Sequence, residues 1–207
     1  MGLSSFSARL TRRRGGQVDL NSQIGQWIKL LAQDPDVKTV VEIGAWNGRG
    51  TTACLKLGAE SRPDCVRVLS LEAERDLAAK AASFHMNSRV IEIVWGSVIG
   101  PEDLDGIDLT EVESNWFHQE RNSLQNCPRV LQTIPASIDL LILDGGEFST
   151  YSEWELLQSR VTKWCVLDDI SMRKGRRIVD EVSKSAGPWR ILMRASERNG
   201  TAVLLRL

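Results

Sequence analysis

Two apolar runs in this chain deliver carboxylates directly from their ends. Ile138–Leu143 (IDLLIL) leads into Asp144-Gly145-Gly146-Glu147, and Trp164–Leu167 (WCVL) leads into Asp168-Asp169. Packing does not explain acids at such points, because charge is seldom left at the end of a buried strand without a partner or a ligand. If the runs are adjacent strands, Asp144, Asp168 and Asp169 collect at one place and repel one another unless a cation or protons intervene. Three carboxylates and water suit a hard divalent ion such as Mg²⁺. One aspartate capping the next helix while the others accept from backbone amides satisfies the same sequence.

A second group is built on glycine. The run Val37–Ile43 (VKTVVEI) passes through Glu42-Ile43-Gly44-Ala45-Trp46-Asn47-Gly48 into Arg49-Gly50-Thr51-Thr52, where a helix opens. Gly44 and Gly48 permit a tight turn and a close approach of backbone to ligand. The helix start offers unpaired N–H groups to an anion. The spacing E-x-G-x-x-x-G differs from the G-x-G-x-x-G of pyrophosphate binders and lacks the Gly-Lys-Ser/Thr of a phosphate loop, which disfavours a nicotinamide-dependent dehydrogenase. A tight strand-to-helix turn with no ligand is the plainer alternative. Glu72 ends the next apolar run, Val66–Leu71, where a carboxylate can accept two hydrogen bonds from a ribose. Ser97 follows a third run, Val90–Trp95, and its small side chain leaves room for an adenine ring.

These residues need a scaffold that brings strand ends together. Ile24, Trp27, Ile28, Leu30 and Leu31 fall at helical spacing, so a helix is expected over about Asn21–Ala32, stopped by Asp34-Pro35-Asp36. Beyond it, short β-branched runs alternate with helix-like stretches to about Leu57, over Glu74–Phe84, near Ser152–Arg160 and about Gly175–Ser185. That alternation predicts βαβ units and a mostly parallel sheet covered on both faces. Trp189–Arg194 and Thr201–Leu205 flank the turn Glu197-Arg198-Asn199-Gly200 and predict a closing antiparallel hairpin. The expected architecture is α/β, a Rossmann-like, doubly wound, mostly parallel seven-stranded sheet. Residues 1–20 read as a tail with a solvated Arg12-Arg13-Arg14 run, and 21–207 as one domain. Gly100–Pro135, polar and containing Trp116-Phe117-His118, reads as an irregular lid or substrate loop.

Composition narrows the classes. There are 207 residues, with 26 Lys+Arg against 27 Asp+Glu, so the basic excess of a dedicated nucleic-acid binder is missing. No apolar stretch approaches membrane-span length and no signal-peptide core opens the chain, so a cytoplasmic protein with no membrane partner is expected. Cys54, Cys65, Cys127 and Cys165 form no CxxC pair, and with His85 and His118 they lack zinc-site spacing.

Taken together the motifs VVEIGAWNGRGTT, LSLEAE, ILDGGEFSTY and VLDDI resemble those of the class I S-adenosylmethionine-dependent methyltransferases, from about Val37 to Leu207. Among subgroups the chain looks most like the small-molecule O-methyltransferases related to catechol O-methyltransferase and the macrocin-type sugar enzymes. The resemblance implies S-adenosylmethionine contacts from Glu42, Gly44, Ala45, Gly48, Thr51, Glu72, Ala73, Ser97 and Asp144. Among these, Glu42, Gly44 and Gly48 would surround the methionine part and Glu72 would hold the ribose. It further implies a divalent metal on Asp144, Asp168 and Asp169, and a hydroxylated small molecule, sugar or aromatic, as acceptor. The metal-dependent groups often carry His or Lys three residues after the fourth-strand Asp; here that residue is Glu147, a base or supporting candidate. Lys174 is a possible replacement, although a lysine at a helix start is ordinarily solvated. A metal-dependent hydroxylase- or hydrolase-like enzyme and a non-catalytic binding protein stand as alternatives on the same fold. The apolar closing hairpin permits a homodimer.

Overall fold

The computed structural model of the chain describes residues 18–207; the Arg12–Arg14 run and most of the expected tail lie outside them. Helix α1 (Gln23–Gln33) starts at Ser22, whose side chain accepts the Gly25 N–H, and buries Ile24, Ile28 and Leu31 along one stripe. The alternation then follows as β1 (Thr39–Ile43), α2 (Thr51–Glu60), β2 (Arg67–Glu72), α3 (Arg75–His85) and β3 (Ile91–Trp95). The second half comprises α4 (Ser114–Asn126), β4 (Ile138–Leu143), α5 (Thr150–Leu157), β5 (Val161–Asp168), α6 (Arg173–Lys184), β6 (Trp189–Ala195) and β7 (Thr201–Arg206).

The seven strands form one sheet in the order β3-β2-β1-β4-β5-β7-β6, with β7 antiparallel to both β5 and β6. The expected doubly wound sheet and its reversed strand near one edge are both present. From β1 the chain builds outward through β2 and β3, then returns to lay β4 on the other side of β1. This is the reversal at which open α/β sheets take their ligands.

Register makes the consequence specific. Ile43 stands opposite both Leu71 and Leu143, and Leu143 stands opposite Leu167. The four strands thus end within one residue of a common row, and Glu72, Gly44, Asp144 and Asp168 sit at one level of the sheet's carboxyl edge.

Strand residues alternate between two apolar layers. Val41, Ile43, Leu69, Leu71, Leu141, Leu143, Cys165 and Leu167 face a core that contains Phe117, Phe148 and Trp154. Val40, Val68, Leu140, Ile142 and Val166 face α1 and α2 through Ile24, Ile28, Cys54 and Leu55. Both faces are covered, which explains why the strands read as continuous apolar runs. All four cysteines are free thiols, and Cys54 and Cys165 are buried.

The expectation of an irregular Gly100–Pro135 segment is corrected. It holds a 3₁₀ turn at Pro101–Leu104, the thirteen-residue α4 and another turn at Leu131–Thr133. Helix α4 buries only Phe117 and Leu124, seven residues apart, so it has no apolar stripe for periodicity to find. Phe117 meets Phe148 edge-on, with ring centroids 5.3 Å apart, and Glu120 accepts the Phe148 and Ser149 N–H groups. The helix is fastened to the turn that follows β4.

Candidate functional site

The glycine turn is held from three sides by carboxylates. Gly44, Trp46 and Gly48 have φ values of 94°, 48° and 77°, so three alternate residues lie in the left-handed region. For Trp46, which has a Cβ, that conformation is costly and persists only where the surroundings impose it. Glu72 supplies part of the constraint, accepting the Trp46 N–H at 2.6 Å and the Glu74 N–H at 2.9 Å. Asp144 Oδ2 accepts from Thr51 Oγ1 at 3.0 Å on the opposite side, and Glu42 accepts from Thr52 Oγ1 at 2.8 Å underneath. Behind the turn, His85 on α3 lies 2.6 Å from the Gly48 carbonyl through Nε2.

The three acids converge on one nine-residue segment, but they stand in different environments. Glu42 is fully buried, and burial pushes its carboxyl up to about 8. It supports the turn from below and reaches it through Thr52. Glu72 is 8% exposed at the β2 tip, and burial raises it too. Ala45 is buried beside it. Ala73 gives its carbonyl to Trp95 Nε1 at 3.0 Å and lines a cleft of about 230 Å³ with Glu74, Trp95, Asn122 and Ser123. Ser97 is buried, with its Oγ accepting the Ile99 N–H at 3.2 Å.

Glu42 has a measurable pH signature. Between the ordinary carboxyl value of 4.5 and about 8, the folded chain retains a proton that the unfolded chain has released. Stability therefore falls as pH rises through that interval. Glu42→Gln removes this contribution, so the variant is expected to gain on the wild type by roughly 3 kcal/mol between pH 5 and 8. Urea unfolding at several pH values reads the difference. Parallel curves would show that Glu42 ionises normally in the fold. Glu153, also driven by burial to about 8, contributes the same sign in both chains and cancels from the comparison.

The acidic cluster forms as the strand ends require. Asp144, Asp168 and Asp169 each present an oxygen within 4.8 Å of the others. Lys174, however, is not the solvated residue that its place at a helix start suggests. Its side chain is 6% exposed, with Nζ 3.2 Å from Asp144 Oδ1 and 3.0 Å from Asp169 Oδ2. Burial by itself would lower its pKa, but the charges of Asp144, Asp169 and Asp168 outweigh it and hold the ammonium above its ordinary value. A lysine fixed as a cation does not accept protons, which removes it as a base. The closing hairpin contributes too. Arg198 pairs with Asp168 at 3.0 Å, and Asn199 Nδ2 donates to Asp169 Oδ1 at 3.0 Å.

With a buried ammonium already bridging two of its acids, this set does not fit a divalent ion. Both oxygens of Asp144 and both of Asp169 already have donors from the chain: Lys174, Thr51 and Asn199. Only Asp168 accepts no hydrogen bond from the described residues, and it faces Arg198. A magnesium ion demands near-octahedral oxygen ligation at about 2.0–2.1 Å, and here an ammonium stands where two of its ligands would turn. Burial, followed by the charges of Asp144 and Asp169, pushes Asp168 up to about 7.

Glu147 opens onto a cleft of about 840 Å³ lined by Tyr151, Ser171, Arg173, Arg176, Arg177 and Glu181 among others. Its carboxylate accepts the Lys174 N–H at 3.3 Å. Burial raises its pKa against the opposing backbone N–H groups of Arg173 and Lys174. A half-buried carboxylate of raised pKa at the edge of a cleft is suited to taking up a proton.

A nucleoside with an amino-acid tail does fit the strand tips. Each Glu72 oxygen accepts one backbone N–H, from Trp46 or Glu74, and keeps a second lone pair for a hydroxyl, and α2 starts after Gly50 with no side-chain cap, leaving its first N–H groups for a carboxylate. The fold has counterparts among solved structures. The O-methyltransferase from Bacillus cereus in complex with S-adenosylhomocysteine aligns over 91% of this chain and 83% of its own, with 14% identity and a TM-score of 0.61. A methyltransferase from Geobacter sulfurreducens aligns over 93% and 81%, with 17% identity and a TM-score of 0.62. The chain has the class I methyltransferase fold. The O-methyltransferase TomG from Streptomyces achromogenes, involved in tomaymycin synthesis and solved with S-adenosylmethionine, shares that fold over 91% and 82%, with 15% identity and a TM-score of 0.62. No family model and no curated protein matches the sequence. Among the described residues, no helix of this methyltransferase fold is long and apolar enough to cross a membrane.

Thr51, Ser97, Ala73 and the acids thus lie where the strand order places them, with Glu42 one layer below the rest. His85, Glu120, Arg198 and Asn199 carry parts of the site that motif reading did not single out. The Asn199-Gly200 step signalled a turn and nothing more. Its proximity to Asp168 follows only from β7 pairing with β5, which sets Asp168 opposite Thr201.

Proposed function

We propose that the protein is an S-adenosylmethionine-dependent O-methyltransferase acting on a polar, hydroxylated small molecule. The observation that carries this reading is the row of Glu72, Gly44, Asp144 and Asp168 at the strand-order reversal. When bound, the sulfonium cofactor supplies an electrophilic methyl group. Glu72 binds the ribose hydroxyls while the Gly44–Gly48 turn and the uncapped start of α2 hold the amino-acid end. Asp144, fixed by Thr51 and Lys174, orients the centre from the β4 side, and Glu147 takes up the acceptor's proton. Holding the acceptor in line with the methyl group is the main contribution the fold can make, up to ~7–11 kcal/mol in ideal cases.

The cleft beside Glu147 favours a sugar-like acceptor over a flat aromatic. Its lining is mostly charged, and its aromatic face, Tyr151, is already covered by the Arg177 guanidinium at 3.5 Å from the ring centroid. Hydroxyl-rich ligands match such walls, whereas an apolar ring would cover charged groups without pairing them. A panel of sugars, glycosides and catechols incubated with methyl-labelled cofactor is expected to show label in the hydroxyl-rich members. Label confined to catechols would overturn the acceptor assignment, and label in none of them the transferase reading.

A further inference from the structure

We propose that Lys174, with Arg198, supplies from within the chain the positive charge that a divalent cation would otherwise bring to Asp144, Asp168 and Asp169, so that the aspartate cluster is preorganised without metal. The inference rests on the proposed transferase reading only for the cluster's part in orienting the acceptor; its charge arrangement is independent of turnover.

The local construction is specific. Chain direction reverses after β5 through Asp169, whose φ of 53° is left-handed, and the Met172 N–H closes the turn on the Asp169 carbonyl at 2.9 Å. The Ile170 and Ser171 N–H groups are held by the Gly200 and Asn199 carbonyls at 2.9 and 2.8 Å. This double fastening sets the first turn of α6 directly over the cluster, and Lys174 is the second residue of that helix. From there its ammonium bridges the β4 acid to the second β5 acid and also lies 3.4 Å from the Gly145 carbonyl. A buried cation survives only where it is paired, and a buried carboxylate likewise. Each of these groups therefore requires the other, and a divalent ion entering the same space would meet a like charge at contact distance.

Such a lysine does two things a metal would do. It cancels repulsion between acids fixed about one strand spacing apart, and it pins the Asp144 carboxylate so that its other oxygen faces Thr51 and the glycine turn. It differs in being a donor with no vacant coordination position, so it cannot bind an acceptor hydroxyl as a Lewis acid does. Proton removal then falls to a side chain, consistent with Glu147 standing beside the cluster.

The test uses Mn²⁺ as a spectroscopic probe, read by electron paramagnetic resonance and calorimetry on the full chain, with S-adenosylhomocysteine stabilisation measured on the same samples. Wild type is expected to bind Mn²⁺ no more tightly than Asp168→Asn. Lys174→Ala, freed of its ammonium, is expected to bind the ion at least about tenfold more tightly than wild type, since three carboxylates then lack a cation. Lys174→Arg keeps the charge and is expected to remain indifferent to the ion. If Lys174→Ala does not fold, Lys174→Gln serves the same comparison. Wild-type Mn²⁺ binding lost in Asp168→Asn, or a folded Lys174→Ala with no gain, would overturn the inference. Loss of the S-adenosylhomocysteine response with these ion results intact would instead count against the transferase reading alone.

Discussion

Gly44→Val is expected to abolish stabilisation of the chain by S-adenosylhomocysteine. Two physical costs fall on the same position. Its φ of 94° is one that a β-branched residue does not adopt without strain, at about 1–3 kcal/mol for a backbone so placed. A Cβ at Gly44 would also fall against the Asp144 carbonyl and the Gly145 nitrogen, both backbone and unable to swing aside. The turn must move, and moving it withdraws Trp46 from Glu72 and Thr51 from Asp144. Ligand-linked stabilisation at a hundredfold excess over Kd is about 2.7 kcal/mol, so its loss is plain in a thermal-shift series. Gly106→Val is the control: its φ is 78°, yet nothing lies within 4 Å of the added Cβ. That variant carries backbone strain away from the site and should keep the full ligand response. An undiminished response in Gly44→Val would mean that the turn does not hold the cofactor.

Glu147→Gln is expected to lower kcat by about 10²–10⁴-fold, the ordinary range for removing a positioned base, with cofactor affinity unchanged. The pH profile distinguishes this from mere disturbance. Burial raises the Glu147 pKa, and only the ionised form accepts a proton, so wild-type kcat should climb with pH through that raised value. The variant should lose this limb of the profile while still responding to S-adenosylhomocysteine. A variant with both the rate and the limb intact would assign proton removal elsewhere, with Asp168, pushed up to about 7, the next group to test.

The parts of this molecule readable from sequence are those governed by local pattern. Strands buried on both faces appear as apolar runs, and their ends can be located to within a residue or two, as with Ile138–Leu143 and Arg67–Glu72. Because the site is built at strand ends, Gly44, Glu72, Asp144 and Asp168 were legible with the strands. What escaped depends on pairings distant along the chain. Arg198 and Asn199 reach the acids only because β7 inserts between β5 and β6. Lys174 reads as a surface residue until the β5-to-α6 turn folds it inward, which local propensity does not report. Helix α4 was missed because two buried side chains in thirteen residues leave no periodic signal, its hold on the domain coming through Phe117, Leu124 and the Glu120 carboxylate. Glu42 shows a different limit, since its place at a strand end is legible but only the packed turn shows it sealed beneath Thr52.

Calorimetric titration of S-adenosylhomocysteine into the wild-type chain and into Glu72→Ala asks most directly whether the level strand tips form a nucleoside site. One molecule should bind per wild-type chain, and the alanine variant should bind at least about tenfold more weakly for loss of the charged acceptor. Equal heats from the two proteins, or none from the wild type at millimolar ligand, would contradict that arrangement of the site.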